Sequence, residues 1–315
     1  MLVAALAVLL GLGLLIWSAD RFVDGAAATA SHLGMSPMLI GLTVIAFGTS
    51  APEILVSATA AWNQVPGLAV GNAIGSNIAN IALVLGATAL IAPLPIRGSL
   101  VRAELPILTV ATIGAGVLLL DQYLGLMDGV LLLAGLALSL YLFKRYQEQH
   151  TTPSKEDIPD MTLGRGIFWL VLGLLVLGAG SRILVWGATD IAIKLGVSDL
   201  IIGLTVVAIG TSLPELAATI ASARKGQHAM AIGNIIGSNM FNLLAVMALP
   251  GLIYPAEIAA GALWRDYSLM LALTLILFGM GFRARRGGEI NRTMGFMLLL
   301  IYTLYMIVLY VSAQS

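Results

Sequence analysis

The chain has 315 residues, of which 59% are hydrophobic and 10% charged, with 16 basic residues balancing 16 acidic ones and a mean hydropathy of +0.98. A soluble domain carries about 25% charged residues, so this composition excludes an ordinary water-soluble globule and describes a polytopic membrane protein. There is no cysteine, which removes thiol chemistry, thiolate metal sites and disulfides, and no basic stripe with interleaved aromatics, which removes nucleic acid as a partner.

A membrane-crossing helix needs roughly 20 mostly apolar residues. Ten such stretches follow one another, at about 2–18, 38–60, 67–92, 104–121, 125–143, 167–193, 199–222, 229–253, 264–282 and 293–311. The first has no positive leader region and no small-residue cleavage pattern, so it is read as the start of a retained helix that continues into SADRFVDGAAATA. Asp20, Arg21 and Asp24 form a candidate ion-pair cluster there. The second carries IAFGTSAPEILVS, residues 45–57, in which Gly48, Thr49, Ser50, Pro52 and Glu53 interrupt an apolar run. The third carries GNAIGSNIAN, residues 71–80. The fourth opens on Glu104 beside Arg102, a helix-end acid with a basic neighbour, as Asp266 with Arg265 opens the ninth. After the fifth comes QEQHTTPSKEDIPD, residues 147–160, polar and without apolar period, which reads as a mobile hinge.

Beyond the hinge the pattern repeats. PMLIGLTVIAFGTS at 37–50 matches DLIIGLTVVAIGTS at 199–212 in 9 of 14 positions, and GNAIGSNIAN matches GNIIGSNMFN at 233–242 in 7 of 10, both at an offset of 162 residues. The expected organisation is a first five-helix repeat over 1–146, a cytoplasmic linker over 147–164 and a second repeat over 165–315. Five is odd, so the second half enters the membrane inverted. With both termini outside, 12 of the 16 lysines and arginines fall in inside loops, as the positive-inside rule requires. The expected fold is therefore an all-α membrane protein of ten transmembrane helices in two inverted five-helix repeats, an architecture that binds substrate at the midplane on broken helices.

The repeated motifs supply the chemistry. A charge at mid-helix costs about 2.5–3.5 kcal/mol on insertion scales, and no lysine or arginine in the same apolar runs neutralises Glu53 or Glu215. A bound cation would. Pro52 and Pro214 cannot donate to the carbonyls of Gly48 and Gly210, so each helix is expected to break beside its glutamate. That frees the carbonyls of Ala46, Thr49, Ala208 and Thr211. Ser76 with Asn80, and Ser238 with Asn242, lie four apart on one helical face, and Gly71, Gly75, Gly233 and Gly237 permit close helix approach. The pooled donors are all oxygen, which suits calcium and sodium rather than zinc or copper. His32, His150 and His228 sit at loop edges. The plainer readings are a kink with a protonated structural glutamate, and interhelical hydrogen bonds for Asn77 and Asn239.

GTSAPE with GNAIGSNIAN, repeated as GTSLPE with GNIIGSNMFN, resembles the paired alpha-repeats of the calcium/cation antiporter superfamily, sodium/calcium exchanger branch. The resemblance spans nearly the whole chain. It implies alternating access, with Glu53 and Glu215 as central ligands joined by Thr49, Ser50, Thr211, Ser212, Ser76, Ser238, the carbonyls of Ala46 and Ala208, and Asn80 and Asn242. Exchangers of this branch often carry aspartate where this chain has Asn242. The expected activity is sodium/calcium antiport, with proton/calcium antiport as the alternative. A passive cation channel and an intramembrane carboxylate enzyme are the readings from other classes. Transported calcium and sodium, or protons, are cargo and no cofactor is expected. The expected setting is the inner cell membrane, multi-pass, with the protein working as a monomer among inorganic cations and lipid.

Overall fold

A backbone in hydrocarbon must satisfy every amide internally, which leaves helices as the economical solution. The computed structural model describes residues 1–96, 100, 102–150, 159–196, 208–284 and 288–314. In chain order its helices are α1 (Leu2–His32), α2 (Pro37–Thr49), α3 (Ala51–Trp62), α4 (Pro66–Ile91), α5 (Glu104–Leu118), α6 (Leu126–Gln149), α7 (Leu163–Lys194), α8 (Ala208–Thr211), α9 (Leu213–Arg224), α10 (His228–Ile253), α11 (Ala262–Ala284) and α12 (Arg292–Ser312). Among the described residues, seven of these are each long and apolar enough to cross a membrane, and α2 with α3 forms a further span bent by 46°. The protein is thus a helical, multi-pass membrane protein. α5 is apolar but shorter, and α8 and α9 are the described remainder of the stretch expected at 199–222, whose first part lies in 197–207, outside the described residues.

Some boundaries differ from expectation for identifiable reasons, though α1 runs on past residue 18 through SADRFVDGAAATA, as expected. Its alanine-rich continuation keeps helical propensity to His32, and Gly34 (φ +66°) then turns the chain, as Gly196 (φ +80°) does after α7. The segment expected as linker begins as helix, because α6 runs on through Gln149. Gln147 is buried. Its Oε1 accepts from Ser36 Oγ at 3.0 Å, its Nε2 donates to Glu104, and Ser36 in turn caps α2 by accepting from Leu39 N at 3.2 Å. Within the rest of that segment, 151–158 lie outside the described residues, and α7 already begins at Leu163. Glu104 is wholly buried with Gln147 as partner, whereas Asp266 takes Arg265 at 2.7 and 3.0 Å as expected.

Two features were not anticipated. Among the described residues, four helices widen into π turns, at Gly41–Ile45, Asn80–Leu85, Asn242–Val246 and Ala262–Tyr267. An inserted residue rotates the downstream face by roughly 100°, and such turns gather at functional sites. The all-helical expectation also meets two small exceptions. β1 (Leu94–Pro95) pairs antiparallel with β4 (Glu289–Ile290), and β2 (Tyr123–Leu124) with β3 (Ala256–Glu257). Each pair joins a loop of the first half to one of the second.

Lipid is as apolar as leucine, so helices associate here by close packing and polar contacts. α4 and α10 lie at the centre, 72% and 83% buried over their apolar windows, against 22% for α6, α7 and α12. α1 and α7 run antiparallel along a seam of small residues. A methyl added at Gly11 would come within 2.8 Å of the Gly180 carbonyl oxygen, one at Gly25 within 2.7 Å of that of Gly166, and one at Gly187 within 2.6 Å of that of Ala4. α2 crosses α10 just as closely. A methyl at Gly233 would lie 2.6 Å from the Met38 carbonyl oxygen, and one at Gly237 would lie 2.6 Å from the Ala46 Cβ. The mirror crossing of Gly71 and Gly75 would involve 197–207, outside the described residues.

Candidate functional site

The break expected in the second helix falls at Ser50 (φ −84°, ψ 1°), which separates α2 from α3 two residues before Pro52. Ser212 (φ −87°, ψ 2°) does the same between α8 and α9, two residues before Pro214. Each proline sits in the first turn of the new helix, where its missing N–H would have had no partner. Each glutamate follows one residue later, in the first turn of α3 or α9, where the helix dipole favours negative charge. Glu53 is 0% exposed and Glu215 2%.

Several of the expected ligand residues touch directly across the two halves. Ser50 Oγ donates to Glu215 Oε1 at 3.3 Å. Thr49 Oγ1 lies 3.4 Å from Ser238 Oγ and donates to Asn234 Oδ1 at 3.3 Å. The remaining residues are brought in by helix packing. The π turn beginning at Asn242 packs against α3, which carries Glu53, and the π turn beginning at Asn80 packs against α9, which carries Glu215. α8, with Ala208 and Thr211, packs against the part of α4 that holds Ser76. Thr49, Ser50, Ser76, Asn80, Ser212, Ser238 and Asn242 are all buried, and Thr211 is half-buried with partners of its own.

What distinguishes this centre is its unpaired oxygen. Both carboxylate oxygens of Glu53, Oε2 of Glu215, the Ser212 hydroxyl and the side-chain amides of Asn80 and Asn242 are buried without a hydrogen bond among the described residues. A buried polar group left unmatched costs roughly 1–3 kcal/mol, and a charged one more. Natural folds carry few such groups, and here five residues carry them around the paired helix breaks.

Three expectations need correction. The Ala46 carbonyl is not simply freed by the break, because Ser50 N donates to it at 3.0 Å; with the Thr49 hydroxyl proton on Asn234 Oδ1, a second lone pair is what it has to offer. Asn239 Nδ2 donates to the Ile235 carbonyl of its own helix at 2.7 Å, and the Asn77 amide has no hydrogen bond among the described residues, so neither is the interhelical tie considered from sequence. In the Asp20, Arg21, Asp24 cluster the cation is Lys225, which lies 2.6 Å from Asp24 Oδ1 and 3.7 Å from Asp20 Oδ1. Arg21 instead stacks on Trp169 at 5.1 Å.

Two residues of the site escaped the sequence reading. Asn72 Nδ2 donates to the Glu53 carbonyl at 3.1 Å and to Ser57 Oγ at 3.0 Å. Asn234 Nδ2 approaches the Glu215 carbonyl at 3.5 Å and donates to Thr219 Oγ1 at 2.8 Å. Each amide braces the backbone of the glutamate it follows by 19 residues. The available signal was the second letter of both GNxIGSN motifs. Asn234 also accepts from Thr49, so it ties one half's glutamate to the other half's break. Asn234→Ala should therefore lower thermal stability by about 1 kcal/mol, two interhelical bonds at roughly 0.6 kcal/mol each. It should slow calcium flux more than Asn72→Ala; the comparison is made by melting in detergent and by uptake into proteoliposomes.

Fold and buried centre together define a class, a membrane carrier for cations. The chain belongs to the sodium/calcium exchanger protein family, whose model matches residues 3–145 and 165–311. It is 48% identical to CaxA of Alkalimonas amylolytica over 320 residues, covering 99% of this chain and 100% of that one. It is 31% identical to the sodium/calcium exchanger MaX1 of Methanosarcina acetivorans over 345 residues, covering 97% and 98%. The solved structure of the sodium-calcium exchanger NCX_Mj superposes with a TM-score of 0.84 at 32% identity, covering 98% of this chain and 99% of that one. The protein is accordingly a cation/calcium antiporter and not an enzyme, and inorganic cations are its cargo rather than a resident cofactor.

Proposed function

We propose that the protein exchanges sodium for calcium by alternating access, with both ions bound between Glu53 and Glu215. The observation that carries this reading is the set of unpaired buried oxygens on Glu53, Glu215, Asn80, Asn242 and Ser212. Hard cations bind such donors, six to eight at a time for calcium. Ser50, Thr49, Thr211, Ser76, Ser238 and the carbonyls of Ala46 and Ala208 complete the proposed ligand set. In this reading the chain forms ten spans in two inverted repeats over 1–146 and 165–315, joined through 147–164. It lies in the inner membrane with both termini outside and works as a monomer.

Charge decides the cycle. Two ionised carboxylates carry −2, one calcium neutralises them, and three sodium ions leave +1. A filled cavity of either kind crosses the hydrocarbon barrier more easily than the empty −2 cavity, which makes exchange obligatory. One net charge per cycle couples transport to voltage, about 2.3 kcal/mol per 100 mV. Proteoliposomes loaded with sodium should take up calcium, respond to an imposed potential, and stay inactive with potassium or pH gradients alone. Calcium uptake driven equally well by a pH gradient without sodium would replace this reading with proton/calcium exchange, two protons taking the place of one calcium.

A further inference from the structure

α9 carries Glu215 on one face. On the opposite face, between α9 and α1, lies an apolar groove of about 170 Å³. Leu12, Leu15 and Ile16 line it from α1, and Leu213, Leu216 and Ile220 from α9, with alanines between them. A dry cavity of about 150 Å³ already takes a small hydrocarbon.

Among the described lining residues, the polar ones, Asp20 and Arg224, sit together at one end of the groove. Lys225 binds Asp20 and Asp24 just beyond, so α1 and α9 run in the same direction and finish their grooved stretches together. From Leu213 to Arg224 the helix rises about 16 Å, half of the roughly 30 Å hydrocarbon core. The groove therefore has the length of one leaflet, apolar at the bilayer centre and polar at headgroup depth.

The charges at that end are unequally engaged. Asp20 and Asp24 share Lys225, and Arg21 lies over the Trp169 ring. Arg224 is exposed and makes no hydrogen bond or ion pair among the described residues. With both aspartates, Arg21, Arg224 and Lys225 ionised, the end carries one net positive charge. We propose that the groove is a lipid site: one acyl chain of an anionic bilayer phospholipid lies between α1 and α9, and its phosphate is held by Arg224. The chain then backs the helix that presents Glu215, so lipid composition reaches the exchange site through one helix thickness.

Native mass spectrometry of the full chain tests this, after release from micelles containing equimolar phosphatidylglycerol and phosphatidylcholine with the same acyl chains. The wild type should favour phosphatidylglycerol by about five-fold, the factor one basic side chain brings at an anionic surface. Arg224→Gln should hold the two lipids alike, and Ala217→Trp, whose indole fills the groove, should retain one lipid fewer. An unchanged preference in Arg224→Gln, or equal retention by the wild type and a folded Ala217→Trp, overturns the assignment. If Ala217→Trp does not fold, Arg224→Gln, altered only at an exposed side chain, still decides. Neither variant touches Glu53 or Glu215, so the outcome is independent of which ions are exchanged.

Discussion

Glu53→Gln and Glu215→Gln should each weaken apparent calcium affinity by about 10²–10³-fold. Two unit charges 4 Å apart interact by about 4 kcal/mol at an effective dielectric of 20, and each 1.4 kcal/mol is a factor of ten in binding. Removing one of two carboxylates thus takes away half of the charge that holds a divalent ion, while a monovalent ion loses less. Stability should move the other way. Both oxygens of Glu53 and one of Glu215 are buried without a hydrogen bond among the described residues, so glutamine relieves a carboxylate of an unfavourable environment, and the calcium-free variants should melt no lower than the wild type. Flux assays and calcium-free melting curves on the same preparations separate the roles. Variants that melt several degrees lower while still exchanging calcium would mark the glutamates as structural and end the proposed function.

Gly237→Leu should yield no folded protein, and Gly237→Ala should fold poorly and transport slowly. The added carbon would lie 2.6 Å from the Ala46 Cβ and 2.8 Å from the Leu42 carbonyl carbon, and these belong to a helix that cannot swing aside as a flexible side chain could. Overpacking a tight core costs about 1–3 kcal/mol and sometimes more. The damage would also reach the site, because the same α2–α10 crossing sets the 3.3 and 3.4 Å contacts of Thr49 with Asn234 and Ser238. Gly178→Ala is the control, since a methyl there meets nothing within 4 Å. Size-exclusion profiles and melting curves check the series, and a monodisperse, transporting Gly237→Leu would show that the crossing is looser than described.

The centre of the site was legible because its chemistry breaks local rules. A proline and a glutamate inside an apolar run, written twice at one offset, mark a helix break and a charge that needs company whatever the fold. Asn72 and Asn234 stayed hidden because a lone asparagine in a glycine-rich helix looks like any other polar interruption; their role depends on which backbone carbonyl lies opposite, which is tertiary information. The π turns were invisible for a related reason. Asn80 and Asn242 look like ordinary helical positions, and the extra residue shows only in the hydrogen-bond ladder. The continuation of α1 past residue 18 was legible because helical propensity persists through SADRFVDGAAATA, whereas the partner that accommodates Asp20 and Asp24, Lys225, is about 200 residues away in sequence and was not. The Ala46 carbonyl shows the limit of a proline argument, since the ring removes one donor while Ser50 N, at the break itself, remains in place.

The α1–α7 seam has an implication for origin. Ala4, Gly11 and Gly25 correspond, at the 162-residue offset, to Gly166, Gly173 and Gly187. Ala4 meets Gly187, and Gly25 meets Gly166, so each position faces the counterpart of the other. That reciprocity is the signature of an isologous contact, the kind two identical copies make about a two-fold axis. A polypeptide of half this length, inserted in both orientations, would already possess the surface needed to pair with itself. Fusion of two such copies would preserve the contact and release each to diverge, as the substitution of alanine at one end and glycine at the other records.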